Sequence, residues 1–269
     1  MVKQIKELHD LVTLRAALRD QYGMEIIRSE DLQLLVNFQQ SKSNLLFLLK
    51  SLKDNETAAV IKSMDHSKSQ LWQDLFVLTE LQFKKNGYFV EFGACDGLEF
   101  SNTYLLENRF SWNGILAEPA YVWREQLLAN RTAHISFNCV SDSTGAAVDF
   151  IEASDATIST IASFAKKNNH LEVRKNGKKY TVETVSLVDL LKHYEAPHHI
   201  DYLSIDTEGN ELEILENFNF EEYSFSVITC EHNYSDNREK IFNLLSSKGY
   251  KRKFENISKF DDWYVRLSK

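Results

Sequence analysis

From Gly87 onward, apolar runs of strand length alternate with helical stretches, and a doubly wound α/β sheet is the architecture that accommodates this pattern. YFVEFG, GILAEP, ISFNCVSD, IDYLSID and SVITCEHN read as strands. NTYLLENR, YVWREQLLANR, LVDLLKHY, ELEILENF and NREKIFNLLSSKG read as the helices that follow. The chain finishes with YKRKFENIS and DDWYVRLS. No crossover helix separates these two strand-like runs, so they are expected to pair antiparallel. The alternation is interrupted over about residues 145–185, where Asn176-Gly177 separates LEVRK from KKYTVET. Both turn residues tolerate positive φ, which predicts a β-hairpin inserted between the third and fourth strands.

Before Gly87 the pattern is helical. Ile5, Leu8, Leu11, Val12 and Leu18 recur at helical spacing. Ser29 can cap a second helix, with Glu30 and Asp31 in its first turn. Further helices are expected through Leu45–Leu52, Thr57–Met64 and LWQDLFVLTEL. Residues 1–70 are therefore expected to be a helical extension, either a lid or a surface for homo-oligomer contact, ahead of a main domain over residues 71–269.

The net charge of −8 argues against a nucleic-acid partner, which calls for a basic footprint. The apolar run NLLFLLKSL is broken by Lys50 and too short to span a bilayer, and the N-terminus has no secretory apolar core. Three widely spaced cysteines, Cys95, Cys139 and Cys230, suggest reduced thiols. A soluble, cytoplasmic protein is expected.

Ligands of open α/β sheets bind at the carboxyl ends of the strands. The first strand delivers Glu91, Gly93, Ala94 and Asp96 there, and the second delivers Glu118. The third delivers Ser141 and Asp142, and the fourth Asp206, Thr207, Glu208 and Gly209. The fifth delivers Glu231, His232 and Asn233. A ring of acids would repel the pyrophosphate of a dinucleotide. It suits S-adenosylmethionine, which carries a ribose diol, an ammonium and a sulfonium. Glu118 lies at the spacing of a ribose-binding acid after a glycine turn, about 20 residues on, and Ser141 and Asp142 are placed to meet the adenine.

The stretches FVEFGACDG, SNTYLLE, GILAEP, IDYLSIDTEGNELEIL, EHN and DDWYV, in this order over about residues 70–269, resemble the FkbM-type methyltransferases. The resemblance implies a seven-stranded Rossmann-like sheet with an antiparallel last strand, and S-adenosylmethionine-dependent methylation, most often on oxygen, of sugars, polyketides or other secondary metabolites. By position it implies that Glu91, Gly93, Ala94, Asp96, Ser101, Asn102 and Glu118 line the cofactor site. Asp206, Glu208 and Glu231 would face the sulfonium and the acceptor.

A hydroxyl acceptor needs a base or a metal. His232 is the expected base, beside Asp206 and Glu231 as the other catalytic candidates. Asp206, Glu231 and Asn233 could instead hold Mg²⁺ or another divalent cation through oxygen ligands. Arg174, Lys175, Lys178 and Lys179 in the insert, with Lys166 and Lys167 nearby, read as a solvated hairpin face or as a lid over an anionic acceptor. The acceptor is expected to be a small molecule or glycan. A nicotinamide-dependent oxidoreductase and a non-catalytic cofactor-binding module are the alternatives.

Overall fold

The computed structural model describes residues 43–165 and 171–267. The chain divides into two compact units, Met1–Leu46 and Phe47–Lys269, and all that follows concerns the second. The helices expected over residues 1–42, and Lys166 and Lys167, lie outside the described residues. Residues 47–70, expected with the N-terminal extension, fall in the larger unit. In that unit α1 (Asp54–Met64) and α2 (Gln73–Glu80) precede the sheet. No described helix is long and apolar enough to cross a membrane.

The main sheet has seven strands: β1 (Tyr88–Phe92), β2 (Asn113–Ala117), β3 (His134–Ser136), β8 (His199–Ile205), β9 (Ser224–Glu231), β10 (Tyr250–Lys253) and β11 (Asp261–Arg266). Their spatial order is β10-β11-β9-β8-β1-β2-β3. β1, β2, β3, β8 and β9 are joined by parallel pairings, while β11 runs antiparallel to both β9 and β10. This is the Rossmann-like sheet with a reversed final strand, and β1 and β8, adjacent at its centre, flank the crevice where the strand order reverses.

The central strands read as continuous apolar runs because helices cover both faces. In β8 every residue after His199 is buried. Leu203, Ile205, Ile228 and Phe225 pack with Leu190 and Leu215 from the crossover helices in one core. Local signals agree with this layout. Ser186 caps the helix Leu187–His193 by accepting the Asp189 N–H, and Asp189 in the first turn complements the helix dipole.

Two expectations need correction. ISFNCVSD is not one strand. It breaks after Ser136, whose Oγ accepts the Asn138 N–H, and resumes as β4 (Cys139–Ser141) in a second sheet. That sheet also holds β5 (Ala147–Glu152), β6 (Thr160–Ile161) and β7 (Lys178–Ser186), in the order β4-β7-β5-β6. Its small core contains Phe150, Ile161, Phe164 and Val182.

The insert is therefore a sheet and not a hairpin centred on Asn176-Gly177. Neither residue has positive φ. LEVRK contributes a short helix, Leu171–Arg174, and β7 pairs antiparallel with β5 instead. Arg174 is drawn inward, 1% exposed, where its Nη2 donates to Glu208 Oε2 at 2.9 Å and its Nε to the Ile158 carbonyl. A buried ion pair thus outcompetes the local turn preference. Lys175, Lys178 and Lys179 remain exposed, so the basic run is split between interior and surface.

Candidate functional site

A cavity of about 300 Å³ opens at the carboxyl edge of the sheet, within the size range of small-molecule sites. β1, β2, β8 and β9 all contribute to it, and the insert closes one side with Ala156, Thr157, Ile158 and Ser159. Six carboxylic side chains line it: Glu91, Glu118, Asp206, Glu208, Glu231 and Asp261.

The turn after β1 is built by backbone demands. Gly93 has φ of +72°, and a Cβ there would lie 2.0 Å from the Asp206 carbonyl oxygen, so only glycine lets the β1 and β8 loops approach this closely. Cys95 is also left-handed, with φ of +48°. Its N–H donates to Glu118 Oε2 at 2.9 Å, and Glu118 Oε1 accepts the Ala120 N–H at 2.8 Å. The carboxylate at the end of β2 is thereby fixed in orientation, with lone pairs remaining for a ligand. Burial pushes its pKa up to about 7 against those two hydrogen bonds.

Glu91 does different work. Its carboxylate accepts from Ser101 Oγ, the Asn102 N–H and Thr103 Oγ1, and lies 3.6 Å from Arg131 Nη1. Arg131, fully buried, also donates to Glu107, to the Gly97 carbonyl, to Ser101 and to Thr103. Together they hold the loop that carries Asn102 to the cavity. Asn102 Nδ2 donates to Ser204 Oγ at 3.0 Å, and its Oδ1 is buried with no partner among the described residues.

At the opposite end, one oxygen each of Asp206, Glu208 and Glu231 lies within 4.8 Å of the others. Burial, then repulsion from Glu208, holds the Asp206 carboxyl well above the usual carboxylate range. Burial, then repulsion from Asp206, does the same to Glu231. Like charges this close disfavour double ionisation, which adds to the effect of burial at both carboxyls. Glu208 is compensated differently, by Arg174 and by Asn233 Nδ2 at 3.2 Å.

Acids thus stand at the ends of β1, β2, β8 and β9, on a sheet with a reversed last strand. The family model for the methyltransferase FkbM domain matches residues 91–264. The chain belongs to the FkbM methyltransferase family. No protein of curated function matches the sequence. Among solved structures it is similar to a precorrin-6y C5,15-methyltransferase from Geobacter metallireducens GS-15, with 11% identity, a TM-score of 0.36, and coverage of 71% of this chain and 85% of that one. It is also similar to a chain of the fibrillarin/Nop5p complex, with 12% identity, a TM-score of 0.35, and coverage of 74% and 81%.

Within this FkbM methyltransferase domain, the cavity gathers Glu91, Gly93, Asn102, Glu118, Asp206, Glu208, Glu231 and Asn233 from the residues singled out in the sequence. It does not gather Ala94, Asp96, Ser101, Ser141, Asp142 or His232. Asp96 Oδ1 accepts the N–H groups of Leu98 and Glu99, so that carboxylate closes its own turn. Ser141 and Asp142 follow β4 into the second sheet, and Val140 and Phe150 line the cavity in their stead.

His232 fails the geometric requirement for the base. It is 3% exposed and borders a second cavity, which shares Glu231 and Asn233 with the first. Its Nδ1 accepts the Tyr234 N–H at 3.0 Å, so the basic lone pair is used, and burial lowers its pKa. Sequence reasoning missed Arg131, the inward role of Arg174, and Asp261. For the last of these the signal was present in DDWYV, but only the reversed direction of β11 places its first residue at the ligand edge.

Proposed function

We propose that this chain transfers the methyl group of S-adenosylmethionine to a hydroxyl of a sugar, a glycan or a glycosylated secondary metabolite. The observation that carries this reading is the acid-lined cavity at the β1–β8 crevice, with a backbone-oriented carboxylate, Glu118, at the end of β2. The donor set fits the cofactor. Glu118 would hold the ribose hydroxyls, and Asn102 Oδ1, buried and without a partner among the described residues, would accept from the amino group. The surrounding carboxylates favour a cation and disfavour a pyrophosphate, which counts against a nicotinamide cofactor. Bound there, S-adenosylmethionine supplies a methyl group activated by its sulfonium.

The chain's own contribution is positioning and proton uptake. Of Asp206 and Glu231, the one that is ionised is a carboxylate whose affinity for a proton is raised by burial. That carboxylate would take the proton of the acceptor hydroxyl as the carbon–oxygen bond forms. The insert wall, Ala156–Ser159, would exclude water from the reacting groups.

A second reading is favoured by the spacing of Asp206, Glu208 and Glu231, which suits oxygen ligation of a divalent cation. Glu208 would then have to exchange Arg174 for the ion. Exhaustive chelation separates the two: turnover persists if the carboxyl pair is the base, and is lost and restored by Mg²⁺ if an ion holds the acceptor.

Thermal shift with S-adenosylmethionine, S-adenosylhomocysteine and NAD tests the cofactor. A hundredfold excess over Kd adds about 2.7 kcal/mol, roughly 5–10 °C for a domain of this size. A shift with NAD alone refutes the reading.

A further inference from the structure

The DDWYV run takes no part in the cofactor reading, yet its first residue reaches the cavity. Because β11 runs antiparallel to β9, its beginning and not its end lies at the carboxyl edge. Asp261 stands opposite Glu231 in that register, is 4% exposed, and lines the cavity. Its Oδ2 accepts from Gln73 Nε2 at 3.0 Å and from Trp263 Nε1 at 3.3 Å. Gln73 is itself held, since its Oε1 accepts the Leu71 N–H at 2.9 Å. Asp261 Oδ1 is buried with no hydrogen-bond partner among the described residues. A buried acceptor without a donor calls for an explanation, and a ligand that brings the donor supplies one.

The surroundings narrow the ligand. Gln70, Gln73, Phe100 and Phe260 also line the cavity, adding amide groups and aromatic faces to its carboxylates. Residues directly opposite on antiparallel strands carry Cβ atoms about 5 Å apart. Asp261 can therefore grip one hydroxyl of a ring while Glu231, its neighbour, meets the next. Asp261 lies apart from Glu118 and the β1 turn, with β8 and β9 between β1 and β11.

We infer that Asp261, oriented by Gln73, is an acceptor-binding residue whose Oδ1 receives a second hydroxyl of a polyhydroxylated ring, beside the hydroxyl that is methylated. This rests on the methyl-transfer reading above.

The test measures binding of a panel of methyl pyranosides (gluco, galacto, manno, fuco and rhamno) in the presence of S-adenosylhomocysteine, by saturation-transfer NMR and calorimetry. Wild type is expected to bind at least one. Asp261→Asn preserves shape and can keep an oxygen toward Gln73 and Trp263, but presents N–H where Oδ1 stood. It should weaken that glycoside by about ten- to a hundredfold, the range for a hydrogen bond to a charged group, with S-adenosylhomocysteine affinity unchanged. Gln73→Met, which leaves the charge and frees its orientation, should shift binding the same way and serves if the first variant does not fold. No glycoside bound by wild type, or equal glycoside affinity in the variants, overturns the inference alone. Failure of S-adenosylhomocysteine to bind wild type overturns the cofactor reading and this inference with it.

Discussion

Glu118 offers a quantitative test of the cofactor end, because the same burial that positions it also raises its pKa to about 7 from 4.5. Ribose hydroxyls donate hydrogen bonds, and they are accepted best by the carboxylate. Binding therefore favours the deprotonated form, and affinity rises with pH through about 7. At pH 6 about one free molecule in eleven has the competent carboxylate, and at pH 8 about ten in eleven. Apparent Kd scales inversely with the competent fraction, so binding should tighten about tenfold over that interval. The suitable ligand is 5′-methylthioadenosine, which has the ribose diol but neither the sulfonium nor the amino-acid end, so the carboxyls around Asp206 and Glu231 are not engaged. Calorimetry from pH 5.5 to 8.5 (about one and a half units on either side of the pKa) reads the slope. Glu118→Gln removes the titrating group and one strong acceptor, and should bind about tenfold more weakly at pH 8 with a flat profile. A variant that keeps the wild-type slope, or a wild type with none, refutes the assignment of Glu118 to the ribose.

Other predictions follow from groups described above. Glu118 and Asp261 bind protons more tightly when folded, so between about pH 4 and pH 7 the ligand-free protein should lose stability as pH rises, and thermal melts across that window check it. Arg131→Met leaves Glu91 and Glu107 without their buried partner and should cost about 3–5 kcal/mol, seen as a fall in Tm of about 10 °C. Arg174→Met removes the ion pair to Glu208, and should both destabilise the protein and speed limited proteolysis of the insert. Cys95→Asn should be nearly neutral in a denaturant melt, since asparagine tolerates the left-handed backbone and the N–H to Glu118 is retained.

The parallel sheet was legible because its strands are apolar runs between amphipathic helices, and periodicity reports burial directly. The ends of β1, β2, β8 and β9 were legible for the same reason: once a strand is placed, its last residues are placed too. Where reasoning stopped, long-range partners had decided the outcome. Asn176-Gly177 has the local chemistry of a hairpin, but Arg174, three residues before Gly177, finds its carboxylate 34 positions away in the loop after β8. His232 has the right pKa for a base when read alone, and loses the role to a backbone N–H two residues on. Glu91 looks like a ligand acid until Arg131 and three hydrogen-bond donors claim it.

The contact between Gly93 and the Asp206 carbonyl has a bearing on how such a site can change. With no room for a Cβ there, the floor of the cavity is main chain on both sides and cannot be remodelled by exchanging side chains. The wall formed by Ala156–Ser159 belongs to a separate small sheet with its own core, attached through Arg174, Thr160 and Phe164 to the loop at Glu208 and Gly209. Side chains of the insert wall can therefore be exchanged while that main-chain floor is left untouched, so the freedom to diversify and the constraint on the cavity base are lodged in different layers of the molecule.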